Sequence, residues 1–152
     1  MGGVPILENN IHQTMDWIYA IEEACHWDMD NQKKAFAALR AVLHELRDLL
    51  PMESCAQLSA QLPLVIRGIF FENWRPRFIP TQEIKKEDFL SAIAETLYPY
   101  SNDMNVEETT RGVLQVLAEK LPLGELENIS QNISKEIQDL FQKDYCREDI
   151  GG

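Results

Sequence analysis

Apolar residues along this chain recur at three- and four-residue spacing. Ile11, Met15, Ile18, Ile21 and Cys25 form one stripe, and Phe36, Leu39, Val42, Leu43, Leu46 and Leu50 form a stronger one. Strand-like alternation is missing, so the pattern predicts an all-α protein. The pattern also repeats. With the stretch 39–58 ("LRAVLHELRDLLPMESCAQL") laid on 110–129 ("TRGVLQVLAEKLPLGELENI"), Arg40 meets Arg111, Leu46 meets Leu117, and Leu50–Pro51 meets Leu121–Pro122. Further on, Leu58 meets Ile129, Ile66 meets Ile137, and Ile69–Phe70 meets Leu140–Phe141. Upstream, "WIYAI" (17–21) meets "FLSAI" (89–93) after one extra residue in the loop "YPYSNDMN". The expected architecture is a helical bundle of two tandem repeats related by a pseudo-two-fold.

Local chemistry sets the expected boundaries. Proline disfavours helical geometry in the residue before it, so the long helices should stop near Leu50 and Leu121. Each proline then suits the first position of the next helix. Leu62–Pro63 should split or kink the following segment, whereas Ser134 in the matching place predicts a straighter last helix. Asn105 and Glu108 have capping-box spacing, and Asp28, Asp30 or Asn31 should cap the second helix. The expected plan is a single domain over residues 1–152. Its first repeat runs over about 13–73, a linker over 74–86, a second repeat over about 87–142 and a flexible tail over 143–152. One copy has too little core to stand comfortably alone.

Charge narrows the functional classes. The net charge of −11 divides into −5 over residues 1–73, +3 over 74–86 and −9 over 87–152. Such a chain repels phosphate, which disfavours nucleic acid as a partner. Apolar runs are far shorter than the ~20 residues of a membrane span. The start "MGGVPILENN" lacks the features of a secretory signal, and Ile6 spoils a myristoylation motif at Gly2. Cys25, Cys55 and Cys146 have no framework spacing and suit reduced thiols, so a cytoplasmic location is expected.

No reaction can be read from the residues. Glu23 and His26 have the E-x-x-H spacing of helical metal ligands, but the matching pair in the second copy is Glu95 and Tyr98, and Tyr98 does not replace an imidazole. "DMDN" (28–31) lacks the glycine and distal glutamate of a calcium loop. A nucleophile elbow and a glycine-rich phosphate loop are both missing. A non-enzyme without metal or cofactor is therefore expected.

One stretch stands above background, "QLPLVIRGIFFENWRP" (61–76). Arg67 and Phe71 are one turn apart, and Arg75 is a further turn if the helix continues, so a ladder of guanidinium and ring could form. Together with Trp74, Arg77, Lys85 and Lys86 these residues make the candidate binding surface, being of the types that dominate interaction hot spots. The competing reading has Trp74 capping the bundle where the halves join, with arginines bridging to the acidic second half.

The runs "AFAALRAVLHELRDLLP", "AQLPLVIRGIFFENWRP" and "EDFLSAIAE" resemble a bacterial family catalogued as domain of unknown function 2267, over roughly residues 17–141. That resemblance implies an all-helical fold with two related halves and brings no catalytic residues or cofactor. The resulting expectation is a non-catalytic cytoplasmic interaction domain that meets an unknown protein partner or self-associates. The alternatives are a helix-turn-helix-like nucleic-acid binder and a small-ligand binder using a cleft between the repeats.

Overall fold

The computed structural model describes residues 3–76 and 84–141. Over these the chain forms α1 (Pro5–Ala24), α2 (Gln32–Arg47), α3 (Met52–Ser59), α4 (Leu64–Phe70), α5 (Lys86–Leu97), α6 (Val106–Lys120), α7 (Leu123–Ser130) and α8 (Lys135–Leu140), with a 3-10 turn at Tyr100–Asp103. Among the described residues there is no strand. The fold is all-α, as the periodicity predicts.

Pro5 opens α1 at a position where its missing N–H costs nothing. The helix therefore begins eight residues before the expected first repeat. It closes in a paired-bond motif: His26 adopts φ 59°, its N–H reaches the Glu23 carbonyl, and the Trp27 N–H reaches the Glu22 carbonyl. Asn31 stands at the cap of α2, but its side chain does not bond the helix and instead donates to the Asp28 carbonyl at 2.9 Å. The Asn31 backbone N–H donates to Glu22 Oε2 at 2.8 Å, so a carboxylate that is only 2% exposed fastens the α1–α2 loop.

The proline corners form one residue away from their expected place. Pro51, Pro63 and Pro122 are the caps of α3, α4 and α7 in extended geometry, each just before the first helical residue. Pro63 splits its segment. The expectation of a straighter last helix is corrected: α7 ends at Ser130 and α8 starts at Lys135. Ser134 makes that break by a different chemistry, accepting the Ile137 N–H at 3.3 Å as an N-cap. Asn105 caps α6 as expected, accepting the Glu108 N–H at 3.0 Å.

One buried apolar cluster draws on Trp17, Ile18 and Ile21 of α1, Leu39, Leu43 and Leu46 of α2, Phe89 and Ile93 of α5, Leu114 and Leu117 of α6, and Ile137 and Leu140 of α8. Helix α1 packs against α2, α4 and α6, and α2 against α4, α5 and α6. Helices α3 and α7 meet each other, where Ser54 donates to Asn128 Oδ1 at 3.2 Å. Full burial of a side chain such as Phe70 or Phe89 contributes on the order of 2–3 kcal/mol. Ile11, expected on the core stripe, is 58% exposed, because burial along α1 begins only at Thr14.

Candidate interaction surface

Helix α4 has only seven residues, and its last carbonyls lack helical partners. Helix α2 supplies them. Arg40, His44 and Arg47 lie at i, i+4 and i+7, on one face of that helix. Arg47 is buried, and its Nη1 donates to the carbonyls of Phe70 at 2.9 Å and Glu72 at 2.7 Å, while its Nε donates to Asp48 Oδ1 at 3.0 Å. His44 Nε2 lies 2.7 Å from the Ile69 carbonyl, and Arg40 forms an ion pair with Glu72 at 3.0 Å. Cations at a helix C-terminus also suit its dipole. The i, i+4, i+7 spacing was visible in the sequence. What it serves was not, because the carbonyls lie more than twenty residues away along the chain.

The residues expected to form a binding surface separate under the same geometry. Arg67 turns back toward α3, donating to the Ser59 carbonyl at 3.0 Å and the Leu62 carbonyl at 3.1 Å, and so ties the α3–α4 corner. Helix α4 ends at Phe70, which moves Arg75 off the helical register, so the expected ladder does not form. Asn73 reverses the chain at φ 55°, a conformation that asparagine tolerates better than most residues. Trp74 is thereby folded onto Phe71 with ring centroids 5.0 Å apart, and Phe71 meets Phe70 edge-on at 5.1 Å. Phe71 and Trp74 are half-buried and pack against the core. Arg75 is exposed, and Arg77 lies outside the described residues.

Lys85 is exposed at the cap of α5. Lys86 faces acids of the later helices: its N–H donates to Glu136 Oε1 at 3.0 Å, and its Nζ lies 3.6 Å from Glu107 Oε1. Glu107 is also held by Arg111, at 2.9 Å and 3.1 Å. The Arg111 hydrogen bonds, followed by the charge of Lys86, keep its carboxyl below the usual range. The basic patch is thus partly neutralised within the fold.

Candidate reactive groups are similarly absorbed. His26 lies beyond the end of α1, so Glu23 and His26 do not share a helical face. Burial pushes the thiols of Cys25 and Cys55 up to about 11, which keeps both protonated at neutral pH. Among the described residues no group of three or more His, Cys, Asp or Glu side chains is placed to hold a metal ion, and no helix is long and apolar enough to cross a membrane.

Sequence reasoning missed a different surface. Ile6, Leu7 and Ile11 of α1 and Leu64 and Val65 of α4 are exposed. Asn10 joins the two groups, accepting the Leu64 N–H at 2.9 Å while donating to the Ile6 carbonyl at 2.8 Å. The signal was the apolar stripe of α1, whose helical register extends back through Leu7 and Ile11 from Thr14 and Ile18. Alongside the later part of α1 lies a pocket of about 250 Å³, reached by the Leu62–Pro63 corner and the end of α6.

The fold and these surfaces define an all-helical protein assembled from short, corner-linked helices. The family model described as "Uncharacterized conserved protein (DUF2267)" matches residues 14–140, and the chain belongs to that family. No curated protein matches the chain.

Proposed function

We propose that this chain is a non-catalytic protein-interaction domain whose docking face is formed by Ile6, Leu7 and Ile11 with Leu64 and Val65. The observation that carries this reading is the continuation of the buried α1 stripe onto residues that no other described residue covers, next to exposed apolar residues of α4. Contiguous exposed apolar surface marks interaction sites more often than scattered residues do. Helix α1 carries Glu8, Asp16, Glu22 and Glu23 and no Lys or Arg, and the whole chain is strongly acidic. The partner is therefore a protein with an apolar patch inside a basic rim. The stretch 67–76 takes a supporting part, since its rings are half-buried and Arg67 is committed to carbonyl groups.

The bundle itself is proposed to be one domain built from two tandem copies. In support, α1 packs on α6 while α5 packs on α2, and α3 meets α7, the reciprocal pattern expected of a pseudo-two-fold. Cytoplasmic residence accords with two protonated thiols, Cys55 buried and Cys25 partly so.

The test is capture from cytosol by wild-type chain and by the Leu7→Glu, Ile11→Glu variant, with folding of both checked by circular dichroism. Both sites are exposed, so stability should change by no more than about 0.5 kcal/mol. The proposal expects a basic partner that wild type retains, that the variant loses and that added salt weakens. Equal retention by both chains would count against this face. A wild-type dimer that the variant splits would make a second copy the occupant in place of a basic partner.

A further inference from the structure

We infer that the pocket between α1, the α3–α4 corner and the end of α6 binds a free α-amino acid with a short apolar side chain, held as a zwitterion. Its volume of about 250 Å³ equals that of roughly eight liquid water molecules, which admits a molecule the size of leucine. The pocket is open to solvent; Trp17, Leu62 and Pro63 supply its apolar lining, with Gln13 and Gln61 beside them. Asp16 comes from α1 and Lys120 from the last turn of α6, and both line the same space.

Two features of these groups point to a ligand that carries both charges. Neither Asp16 nor Lys120 forms an ion pair or hydrogen bond with another described residue, and they do not bridge each other. Opposite charges that flank one pocket without touching leave a gap for a molecule with an ammonium and a carboxylate. The Trp17 indole N–H also has no hydrogen-bond partner among the described residues, yet it is not among the polar atoms sealed from solvent. Trp17 is only 4% exposed, and it lines this pocket. The assignment places the ligand ammonium at Asp16, the carboxylate at Lys120 with the indole N–H as a further donor, and the side chain against Leu62 and Pro63.

The arrangement also excludes simpler ligands. A free anion meets Asp16, and a free cation meets Lys120, so each loses by repulsion what it gains by attraction. Only a zwitterion satisfies both charges. Because both charged groups stand at an exposed rim, the affinity falls in the millimolar range.

The experiment is titration of the isotope-labelled full chain with L-leucine, following the Trp17 indole N–H and the Gln13 and Gln61 amides by NMR. N-acetyl-L-leucine and L-leucinamide, each lacking one charge, serve as controls. The expected result is a saturable shift of the Trp17 resonance with L-leucine and binding at least about tenfold weaker for both controls. Asp16→Asn should weaken L-leucine about tenfold while strengthening N-acetyl-L-leucine, whose carboxylate it no longer repels, and Lys120→Gln should weaken L-leucine while strengthening L-leucinamide. An unmoved Trp17 resonance at millimolar leucine would overturn the assignment. So would equal responses to all three compounds, because the pocket would then read the leucyl chain alone.

Discussion

Gly112 sits where α6 passes the end of α1. A Cβ at this position would lie 2.6 Å from Cys25 Sγ and 3.5 Å from the backbone of Ala24 and Cys25. To make room the thiol would have to turn away and give up its 3.8 Å hydrogen bond to the Thr109 carbonyl. Gly112→Ala should therefore destabilise the protein by about 1–3 kcal/mol through overpacking, despite a gain of up to about 1 kcal/mol in helix propensity. Removing the sulfur in Cys25→Ala, Gly112→Ala should restore most of that loss. Urea denaturation of the two variants and wild type decides the matter, and a Gly112→Ala chain as stable as wild type would refute the close approach. The sequence marks Gly112 only as a glycine inside a helix. Arg47 shows the same limit, because its helical pattern places a cation among leucines and cannot show the Phe70 and Glu72 carbonyls that receive it.

At the scale of elements, two chemistries make the same break. Pro63 starts α4 by fixing φ at −57°, and Ser134 starts α8 at φ −67° with a side chain that accepts the Ile137 N–H. Ser134 Oγ also donates to the Ile84 carbonyl at 3.0 Å, which ties α8 to the segment entering α5. Ser134→Ala removes both bonds, with an expected cost of about 1–2 kcal/mol. Thermal unfolding of that variant measures it, and an unchanged midpoint would show that the cap contributes nothing. The cap was legible in principle, since serine is among the strongest N-cap residues. The straighter helix expected from the loss of proline does not form, because a serine that accepts an N–H three residues on can break the chain as proline does. The Asn105 cap was read correctly, because residues three apart at a helix start meet through local geometry alone.

For the whole molecule, what counts is which helices share the core. Helix α1 buries Trp17, Ile18 and Ile21 in a cluster that includes Leu114 and Leu117 of α6, and α2 packs on α5. A fragment of residues 1–76 would leave the faces of α1 and α2 that pack on α6 and α5 open to water. Such a fragment should show no cooperative unfolding transition in calorimetry. A sharp transition would mean that the first segment folds independently and that the proposal of one domain is wrong. The candidate surfaces belong to this scale too. Ile11 is exposed and Trp74 half-buried because of where neighbouring helices end, a matter of three-dimensional reach that the sequence order of residues does not contain.

Helical class, the Leu-Pro corners, the Asn105 cap and the family were all within the reach of the sequence. Each depends on side chains a few residues apart or on a pattern written along the chain. The partner of Arg47, the end of α4 before Arg75, the exposed stripe at Leu7 and Ile11 and the placing of Asp16 and Lys120 on one pocket were decided by tertiary packing. They depend on residues from different helices arriving at one place, which is fixed only when the apolar faces choose one another.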